Sequence, residues 1–409
     1  MKKCRSCGAT AFRSFCDLGM SPPSNSFLKA ERLNRKEAFF PLHAFVCERC
    51  LLVQLEQFQD PGEIFSSDYA YFSSYSDAWL RHAESYVATM IERFGLGSDH
   101  FVVEVASNDG YLLQFFRKRG VPCLGIEPSA NVAEAAISKG VPTRVEFFGA
   151  DSAQRLAATG RRPDLILGNN VLAHVPDLND FVHGLRLLLA PSGLITIEFP
   201  YLERLMAENQ FDTIYHEHFC YFSLLSVEAV FRRQELELFD VERLPTHGGS
   251  LRIFAQHAGG PHDASGRVEA LREEERVNGL DRLEAYSGFA ERVRETKRAL
   301  LDFLISAKRA GKCIAGYGAA AKGNTLLNYC GVRTDFIDYV VDRSPQKQGR
   351  FLPGTHIPVL APEHVAETRP DYLLILPWNL KAEVMAQMSH IRAWGGQFVV
   401  PIPRVEVLP

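Results

Sequence analysis

The feature that most constrains this chain is an alternation of short apolar runs with amphipathic segments, which begins near residue 100. HFVVEVA is followed by YLLQFFRKRG, PCLGIEP by NVAEAAISKG, and the series continues with DLILGNN. Short apolar runs that alternate with helical patterns are typical of strands joined by crossover helices. The pattern therefore predicts an α/β domain built on a parallel sheet, extending to about residue 260.

The chain continues beyond this segment on both sides. The first ~70 residues are irregular, with turn signals such as SPPSNSF, and SDAWLRHAESYVATMIERFG at 76–95 has helical spacing with a glycine stop. Residues 267–310 are charged and predicted to be helical, and a second alternation begins at 311 with GKCIAGYGAAAKG. We therefore expect an N-terminal module at 1–70, a central α/β domain at 71–265, and a helical bridge with a smaller C-terminal α/β domain at 266–409.

Composition argues against several classes of function. The formal net charge is -4 at pH 7 and the isoelectric point is near 6.4, so nothing favours binding to nucleic acid or to an anionic membrane. No apolar run reaches the roughly 20 residues of a membrane span. The start, MKKCRSCGATAF, lacks the apolar core of a signal peptide. These features predict a cytoplasmic protein, in which paired cysteines suggest metal binding or redox chemistry.

Two CxxC pairs lie near the start of the chain, in KKCRSCGATAF and HAFVCERCLLV. Each pair can place two thiolates on one tetrahedral ion, so the four together would form a closed structural zinc site without an open catalytic position. The alternatives are two unrelated pairs or a redox pair, although the flanks lack the strand-then-helix context of a redox pair. Cys16 fits neither spacing. The predicted zinc ligands are Cys4, Cys7, Cys47 and Cys50.

Polar residues follow three predicted strands of the central domain. The first strand carries an acidic residue and ends in the turn SNDG, the second ends in GIEP, and the third ends in NNVLAH. An acidic residue about 20 positions beyond the first turn can hold the ribose of a nucleoside cofactor. A single glycine in the turn gives poor support for a pyrophosphate cradle, which S-adenosylmethionine does not need. The predicted cofactor-binding residues are Glu104, Ser107, Asn108, Asp109, Gly110, Glu127, Asn169 and Asn170, with His174 at the same rim.

The C-terminal segment CIAGYGAAAKG fits a strand, a glycine turn and a helix. Gly316, Gly318 and Ala321 match the dinucleotide fingerprint GxGxxA, and Asp342 ends a later strand. This match leaves open a nicotinamide-dependent oxidoreductase or epimerase acting on nucleotide sugars. Such enzymes often use a Tyr-x-x-x-Lys pair, and no such pair lies beside GYGAAAKG.

Motifs spread over most of the chain resemble one family. They are CRSCG with CERC, SSDYAYFSSYS, EVASNDGYLL, GIEPSANVA, NNVLAHVPDL, TIYHEHFCYFS, HGGSLR and GYGAAAKGNTLLNYCG, which continues into VDRSPQKQGRFLPGTHIPV. In this order they resemble the three-domain, zinc-containing, S-adenosylmethionine-dependent sugar C-methyltransferases that act on carbon 3 of nucleotide-linked 4-keto-deoxyhexoses. The resemblance implies a central class I methyltransferase domain of Rossmann-like fold facing a Rossmann-like C-terminal domain that binds the nucleotide sugar.

The resemblance also places TIYHEHFCYF, residues 213–222, in the cleft between these domains. Methyl transfer to carbon needs an enolate, so a base must remove the proton beside the 4-keto group while other groups stabilise the oxyanion. Family similarity assigns the base to His218, with Glu217 and Tyr215 assisting and His174 and Tyr69 in support. For HEH, which lacks HExxH spacing, the alternatives are a metal site or a structural strip.

Two further groups of residues are predicted to contact the substrate. HGGSLRIF offers two glycines for close backbone approach and an arginine for an anion or for a structural ion pair. At the start of the C-terminal helix the resemblance implies a site for the nucleotide diphosphate, because a helix N-terminus and nearby basic side chains attract phosphate. A solvated basic loop is the alternative. The residues are Gly248, Gly249, Arg252, Gly318, Lys322, Lys347 and Arg350, and we expect the protein to be a monomer or homodimer.

Overall fold

The computed structural model describes residues 3–65, 69 and 71–409, and within them the chain forms sheets of four, seven and six strands. The first segment contributes three strands and one short α-helix, with a 3₁₀ turn at Ala30–Arg32: β1 (Phe12–Ser21), β2 (Phe40–Cys47), β3 (Val53–Leu55) and α1 (Pro61–Ile64). β2 pairs antiparallel with both β1 and β3.

The central segment opens with α2 (Asp77–Phe94), the helix predicted at 76–95. Ser76 accepts a hydrogen bond from the backbone N–H of Trp79, and Gly95 ends the helix in the left-handed conformation. Strands and helices then alternate: β4 (Val102–Val105), α3 (Leu113–Lys118), β5 (Cys123–Ile126), α4 (Ala130–Ser138), β6 (Thr143–Arg144), α5 (Ala150–Ala157), β7 (Leu165–Asn169), α6 (Leu178–Leu188), β8 (Leu194–Pro200), α7 (Leu202–Ala207), β9 (Cys220–Tyr221), α8 (Leu224–Arg233), β10 (Leu236–Leu244) and β11 (Ser250–His257).

Seven of these strands form the central sheet, in the order β10-β11-β8-β7-β4-β5-β6. Strands β8, β7, β4, β5 and β6 run parallel, and β11 lies antiparallel between β8 and β10. The chain leaves β4 towards β5 on one side and later returns to β7 on the other. Open α/β sheets bind ligands at the carboxyl ends of the strands at such a reversal. The predicted α/β fold is confirmed.

β9 does not join the central sheet. It pairs antiparallel with β3, with Val53 opposite Tyr221 and Gln54 opposite Cys220, and so completes the N-terminal sheet in the order β1-β2-β3-β9. The backbone N–H of Leu55 also donates to the carbonyl of Phe219 at 2.9 Å. The segment that directly follows HEH is therefore a strand of the N-terminal module.

The helical bridge consists of two helices, α9 (Gly266–Val277) and α10 (Phe289–Arg309). Between them, Gly279 and Gly288 adopt positive φ. Helix α9 packs on the central domain, where the Glu275 carboxylate accepts hydrogen bonds from the first two backbone N–H groups of α8, at 2.6 and 2.9 Å. The boundary expected after residue 265 therefore separates α9 from the domain that it packs against.

The C-terminal domain consists of β12 (Ile314–Tyr317), α11 (Ala321–Cys330), β13 (Val340–Val341), β14 (Val359–Leu360), α12 (His364–Thr368), β15 (Tyr372–Ile375), α13 (Lys381–Gln387), β16 (Gln397–Val400) and β17 (Glu406–Leu408). Its sheet has the order β14-β13-β12-β15-β16-β17 and is parallel except for β17.

Among the helices of the described residues, none is both long and apolar enough to cross a membrane.

The N-terminal module lies between the other two domains. Phe15 stacks on Phe289 of α10 with ring centroids 4.7 Å apart, within a core that continues into the C-terminal domain. Cys4, Cys47 and Leu52, in contrast, belong to the core of the central domain. The module is therefore packed against both of the other domains.

Candidate active site

Unpaired polar atoms line the edge at which β4, β5 and β7 end. The Glu127 carboxylate fastens the turn after β4 by accepting from the backbone N–H groups of Asn108 (3.0 Å) and Ser129 (2.9 Å). Glu104 is fully buried beside this turn, and burial raises its pKa well above its usual value. In the described part of the chain, buried atoms without a hydrogen-bond partner include Oγ of Ser107 and Oδ1 of Asp109, Asn169 and Asn170.

A buried polar atom without a partner is costly, so this edge is suited to receive a polar ligand. Gly110 contributes a positive φ of 74° to the turn, where an added Cβ would lie 3.0 Å from the Val141 side chain. The structure thus brings the eight predicted cofactor-binding residues to one edge of the sheet. A nucleoside cofactor without phosphates fits the available acceptors and the single-glycine turn.

Tyr69 and residues 71–76 lie over this edge. The backbone N–H of Ser73 donates to Oδ1 of Asn108 at 2.8 Å, and the Asn131 side chain donates to the carbonyl of Tyr69 at 2.9 Å. Residues 66–68 and 70 of the SSDYAYFSSYS motif lie outside the described residues. The sequence pointed only to Tyr69 here, because nothing in its local pattern shows which turn the segment covers.

An aromatic cluster beside the same edge was missed by the sequence reasoning. Trp79 stacks on Tyr111, with centroids 5.9 Å apart, and meets His247 edge-on at 5.1 Å. Nδ2 of Asn170 lies 2.9 Å from Nε2 of His247, and burial lowers the pKa of this histidine to about 4. His247 also has a positive φ of 55°, and the adjacent GG pair was the one sequence signal for an unusual backbone.

His218 is held in one tautomer. Its Nδ1 lies 2.9 Å from the carbonyl oxygen of Thr213, which can only accept, so Nδ1 carries the proton. The unprotonated Nε2 then accepts from the hydroxyl of Tyr215 at 2.8 Å. Burial, followed by neighbouring His174, holds the pKa of His218 well below its usual value. The ring is therefore a neutral, oriented base at neutral pH.

The other predicted catalytic residues surround this ring. His174 meets His218 edge-on with centroids 4.6 Å apart, and burial lowers the pKa of His174 to about 4. Burial raises the pKa of Glu217 to about 7. Burial and then the Glu217 carboxylate raise the pKa of both Tyr69 and Tyr215 well above the usual value. The five side chains thus form one group, brought together from three segments of the chain, in which Glu217 and His218 are buried and the other three are half-buried.

The metal alternative for HEH finds no support in the described residues. His216 faces away from His218, with Nε2 at 3.3 Å from the carbonyl of Pro41 and its ring edge-on to Phe40. The two histidines therefore do not converge on one ion. Within the described ranges, the one group of three or more His, Cys, Asp or Glu side chains that could hold a metal lies elsewhere.

That group is Cys4, Cys7, Cys47 and Cys50. The Sγ atoms of Cys4 and Cys50 are 3.5 Å apart, those of Cys7 and Cys47 are 3.6 Å apart, and all four lie within 4.8 Å of one another. A tetrahedral ZnS₄ site with Zn–S bonds of about 2.3 Å requires sulfurs roughly 3.8 Å apart. The four thiols therefore fit a structural zinc ion, and Nε2 of Gln54 donates to Sγ of Cys4 at 3.2 Å.

Arg252 is engaged by the protein itself. Its Nη2 lies 2.9 Å from Glu198 and its Nη1 lies 3.0 Å from Glu242, and its guanidinium is over the ring of Tyr86. Although burial alone would raise the pKa of Glu198, hydrogen bonding to His82 and the Arg252 charge hold it at about 2. Of the two uses that the sequence left open for Arg252, the structure shows the ion pair, and the substrate contact stays a prediction.

At three of the glycines that were predicted to contact substrate, the closest neighbours are other residues of the protein itself. A Cβ at Gly248 would lie 2.4 Å from the Trp378 ring, and one at Gly249 would lie 2.8 Å from Arg204. At Gly318, with φ of 90°, a Cβ would lie 2.5 Å from Pro377. These glycines allow segments of the protein to pack closely, and the contacts give no direct sign of a substrate.

The predicted basic residues of the C-terminal domain lie in different positions. Nζ of Lys347 donates to the carbonyl of Ala319 at 2.8 Å, and Arg350 follows in the turn towards β14. Lys322 has different partners: its Nζ donates to Oδ1 of Asn379 at 2.8 Å and lies 4.6 Å from the centre of the Trp378 ring. Burial lowers the pKa of Lys322, and its charge adds to the lowering of the pKa of His218.

Trp378 connects the two domains at this point. Its Nε1 donates to Oδ2 of Asp212 at 2.7 Å, and burial raises the pKa of that carboxyl group to about 6. Asp212 directly precedes Thr213, whose carbonyl orients His218. Neither Asp212 nor Trp378 was predicted, because their contact joins residues 166 positions apart.

Some solved structures are similar to part of the chain. A protein PH0226 from Pyrococcus horikoshii OT3 is 14% identical, with 49% of this chain and 99% of that chain covered and a TM-score of 0.36. Magnesium protoporphyrin IX methyltransferase ChlM from Synechocystis PCC 6803 is also 14% identical, covering 43% and 78% of the two chains with a TM-score of 0.33. At such scores the likeness carries nothing about function.

The family relationship is clear from the sequence comparisons. Residues 4–65 match a zinc binding domain, residues 79–241 a methyltransferase domain, and residues 245–403 the C-methyltransferase C-terminal domain. The chain is 37% identical to the C-methyltransferase NovU of Streptomyces niveus over 409 residues, which is 99% of this chain and 96% of that protein. The chain therefore belongs to this family of three-domain C-methyltransferases, whose methyl donor is S-adenosylmethionine and whose N-terminal module binds zinc.

Proposed function

We propose that this C-methyltransferase acts on a nucleotide-linked 4-keto-deoxyhexose, at carbon 3, through base-catalysed enolate formation. The observation that carries the proposal is His218, a buried neutral imidazole with a fixed tautomer, where the methyltransferase domain meets the C-terminal domain. Transfer of a methyl group to carbon needs such a base, whereas transfer to an oxygen or sulfur of low pKa need not. The proposal assigns this protein to deoxysugar biosynthesis.

The proton moves first. Nε2 of His218, the atom that holds the Tyr215 hydroxyl here, takes the proton from carbon 3, and the C–H electron pair becomes the enolate between carbons 3 and 4. The displaced Tyr215 hydroxyl is then a donor for the enolate oxygen. The ionised Glu217 holds a sugar hydroxyl, and His174 and Tyr69 close the pocket around it.

S-adenosylmethionine, when bound, supplies an electrophilic methyl group to carbon 3 and leaves as S-adenosylhomocysteine. The residues that would hold it are those at the ends of β4, β5 and β7, with Glu127 at the ribose. Residues 71–76 exclude water from this edge through their contacts with Asn108. The double bond between carbon 4 and its oxygen re-forms, restoring the ketone, as the new carbon–carbon bond forms.

The nucleotide diphosphate is assigned to the loop that precedes α11. Lys347 donates to the Ala319 carbonyl of this loop and Arg350 follows it in the chain, whereas the charge of Lys322 acts on His218. A diphosphate beside Lys347 would therefore leave the sugar directed towards Lys322 and His218. In this arrangement Lys322 places a positive charge near the developing oxyanion, which favours the enolate.

The nicotinamide alternative is disfavoured by the family relationship. Asp342, the acidic residue that would bind a dinucleotide, accepts from the backbone N–H groups of Ala319 (2.7 Å) and Ser344 (2.8 Å). Glu127 is bound by two backbone N–H groups in the same way, so this contact does not decide between the two cofactors. Residues 245–403, which include Asp342 and the GxGxxA turn, match the C-methyltransferase C-terminal domain.

The substrate class is tested by incubating the protein with S-adenosylmethionine and a panel of 4-keto-6-deoxy nucleotide sugars. We expect a product heavier by one methylene unit, detected by mass spectrometry. Carbons 3 and 5 both flank the ketone, so carbon NMR of the product must place the new methyl group on carbon 3. A methyl group on carbon 5 would correct the position, and no product alongside measured S-adenosylhomocysteine binding would move the acceptor outside this class.

Replacing Glu127 with alanine is expected to weaken S-adenosylhomocysteine binding about 10- to 100-fold, since a hydrogen-bonded carboxylate contributes roughly 1.5–3 kcal/mol. Two causes act together: the ribose loses its acceptor, and the Asn108 turn loses its anchor. Calorimetry measures the affinity. The matched control is Glu134→Ala, which changes an exposed glutamate on α4 and should bind as the unaltered protein does. Equal affinity in both variants would remove Glu127 from the cofactor site.

A further inference from the structure

A loop of the N-terminal module enters the group of residues around His218. Nδ2 of Asn25, in the segment SPPSNSF, donates to Oε1 of Glu217 at 2.6 Å. The two residues are 192 positions apart. Within the part of the chain that the structure describes, the Asn25 amide is the side chain that donates a hydrogen bond to the Glu217 carboxylate. The sequence had given the module a purely structural part, through zinc.

The loop is fixed where it enters. The carbonyl of Ser24 accepts from Nδ2 of Asn324 on α11 at 2.8 Å. Two residues beyond Ser26, Leu28 forms an isolated bridge with Phe351, with N–O distances of 2.9 and 2.8 Å. The C-terminal domain therefore holds both ends of the short segment that presents Asn25. The amide is placed by rigid contacts rather than by a free loop.

The backbone position of Glu217 also depends on the module. β9 follows HEHF and pairs with β3, so Glu217 is positioned two residues before the backbone contact between Phe219 and Leu55. Glu217 and its donor thus both depend on one sheet.

We propose that Asn25 is a positioning residue of the active site, which orients Glu217 and keeps it as a hydrogen-bond acceptor for the substrate. This inference rests on the proposed function in one respect: the sugar hydroxyl that Glu217 accepts from. An amide N–H can only donate, so it favours the ionised carboxylate over the acid. The N-terminal module is then part of the catalytic cleft.

The surroundings of Glu217 determine the direction in which its pKa should move when the Asn25 amide is removed. Burial raises the pKa of Glu217 to about 7, and the Asn25 amide acts in the opposite direction. Tyr69, Tyr215, His174 and His218 face the same space, and none of them is an ionised cation at neutral pH. Removing the amide should therefore raise the pKa of Glu217 further, and the ionised form would appear only at higher pH.

The first test is kinetic. Asn25→Ala should lower kcat about 10- to 100-fold at pH 7, the range for losing a hydrogen bond to a charged group. The rising limb of kcat with pH should move to higher pH, so that activity partly returns in alkaline buffer. Asn25→Gln keeps the amide and should recover part of the rate. The matched control is Asn179→Ala, which removes amide bonds to the carbonyls of Arg5 and Ser6 in the same module without touching Glu217.

The second test needs no substrate, so it separates this inference from the identity of the sugar. Infrared difference spectroscopy follows the protonated carboxyl stretch through the neutral pH range, with Glu217→Gln assigning the band. We expect the band to titrate at higher pH in Asn25→Ala than in the unaltered protein, while zinc content and S-adenosylhomocysteine affinity stay the same. An unshifted band, or a lower kcat with an unshifted pH profile, would overturn the proposal.

Discussion

The variant His218→Asn is expected to lose about 10²- to 10⁴-fold in methyl transfer, the range that general base catalysis contributes. Asparagine can still donate to the Thr213 carbonyl, but its amide cannot take a proton from carbon. The direct measurement is exchange of the carbon 3 proton of a 4-ketosugar for deuterium in deuterated buffer. Exchange reports enolate formation without methyl transfer, so it isolates the step assigned to Nε2.

His216→Asn is the matched control for this variant. Both histidines are buried and two residues apart, but His216 packs on Phe40 and bonds to the Pro41 carbonyl, away from Tyr215. It should keep its exchange rate, and both variants should keep the affinity for S-adenosylhomocysteine. If His218→Asn exchanges at the unaltered rate, then His218 is not the base, and the Tyr215 hydroxyl beside it becomes the candidate.

The elements that the sequence predicted well are those encoded within short windows. Helix α2 needed only its apolar spacing, the Ser76 cap and Gly95. The edge that gathers Glu104, Glu127 and Asn169 followed from strand alternation, because parallel strands must end on the same side of a sheet. Pairing of the two CxxC motifs followed from the coordination chemistry of zinc.

What the sequence could not show are contacts between distant segments. Pairing of β9 with β3, the Asn25–Glu217 hydrogen bond and the Trp378–Asp212 hydrogen bond all depend on how three domains pack. The same reason applies to the two ion pairs of Arg252. A lone arginine in a loop pattern gives no sign of a buried partner, and Glu198 and Glu242 come from other strands.

These long-range contacts change the meaning of the zinc site. The sheet that begins at the cysteine cluster ends in β9, directly after HEH. Gln54, which donates to Sγ of Cys4, is the residue paired with Cys220. A chain of contacts therefore runs from the Cys4 thiol through Gln54 to β9, the strand that follows His218.

Cys47→Ser is consequently expected to lose the zinc ion, normally about one per chain, and most of the activity with it. Structural zinc stabilises zinc-finger peptides by about 10–16 kcal/mol at neutral pH, so three remaining thiols in a small module should not hold its fold. Zinc is measured by atomic absorption, and the loss of fold by proteolysis of the first 65 residues. One hydrophobic cluster of the central domain contains no residue of the module, so S-adenosylhomocysteine binding should decline less than catalysis does.

Cys16→Ser makes the same chemical change at another buried cysteine of this module, on β1 outside the cluster. Zinc content should be unchanged there, and a moderate loss of stability of about 1–3 kcal/mol is expected from the buried hydroxyl. A Cys47→Ser protein that contains no zinc but retains full activity would show that the module does not position HEH. A protein that retains zinc would show that the four thiols are not its ligands. The difference in activity between the two serine variants thus measures how far the metal, rather than packing alone, holds β9 and the preceding HEH segment in place.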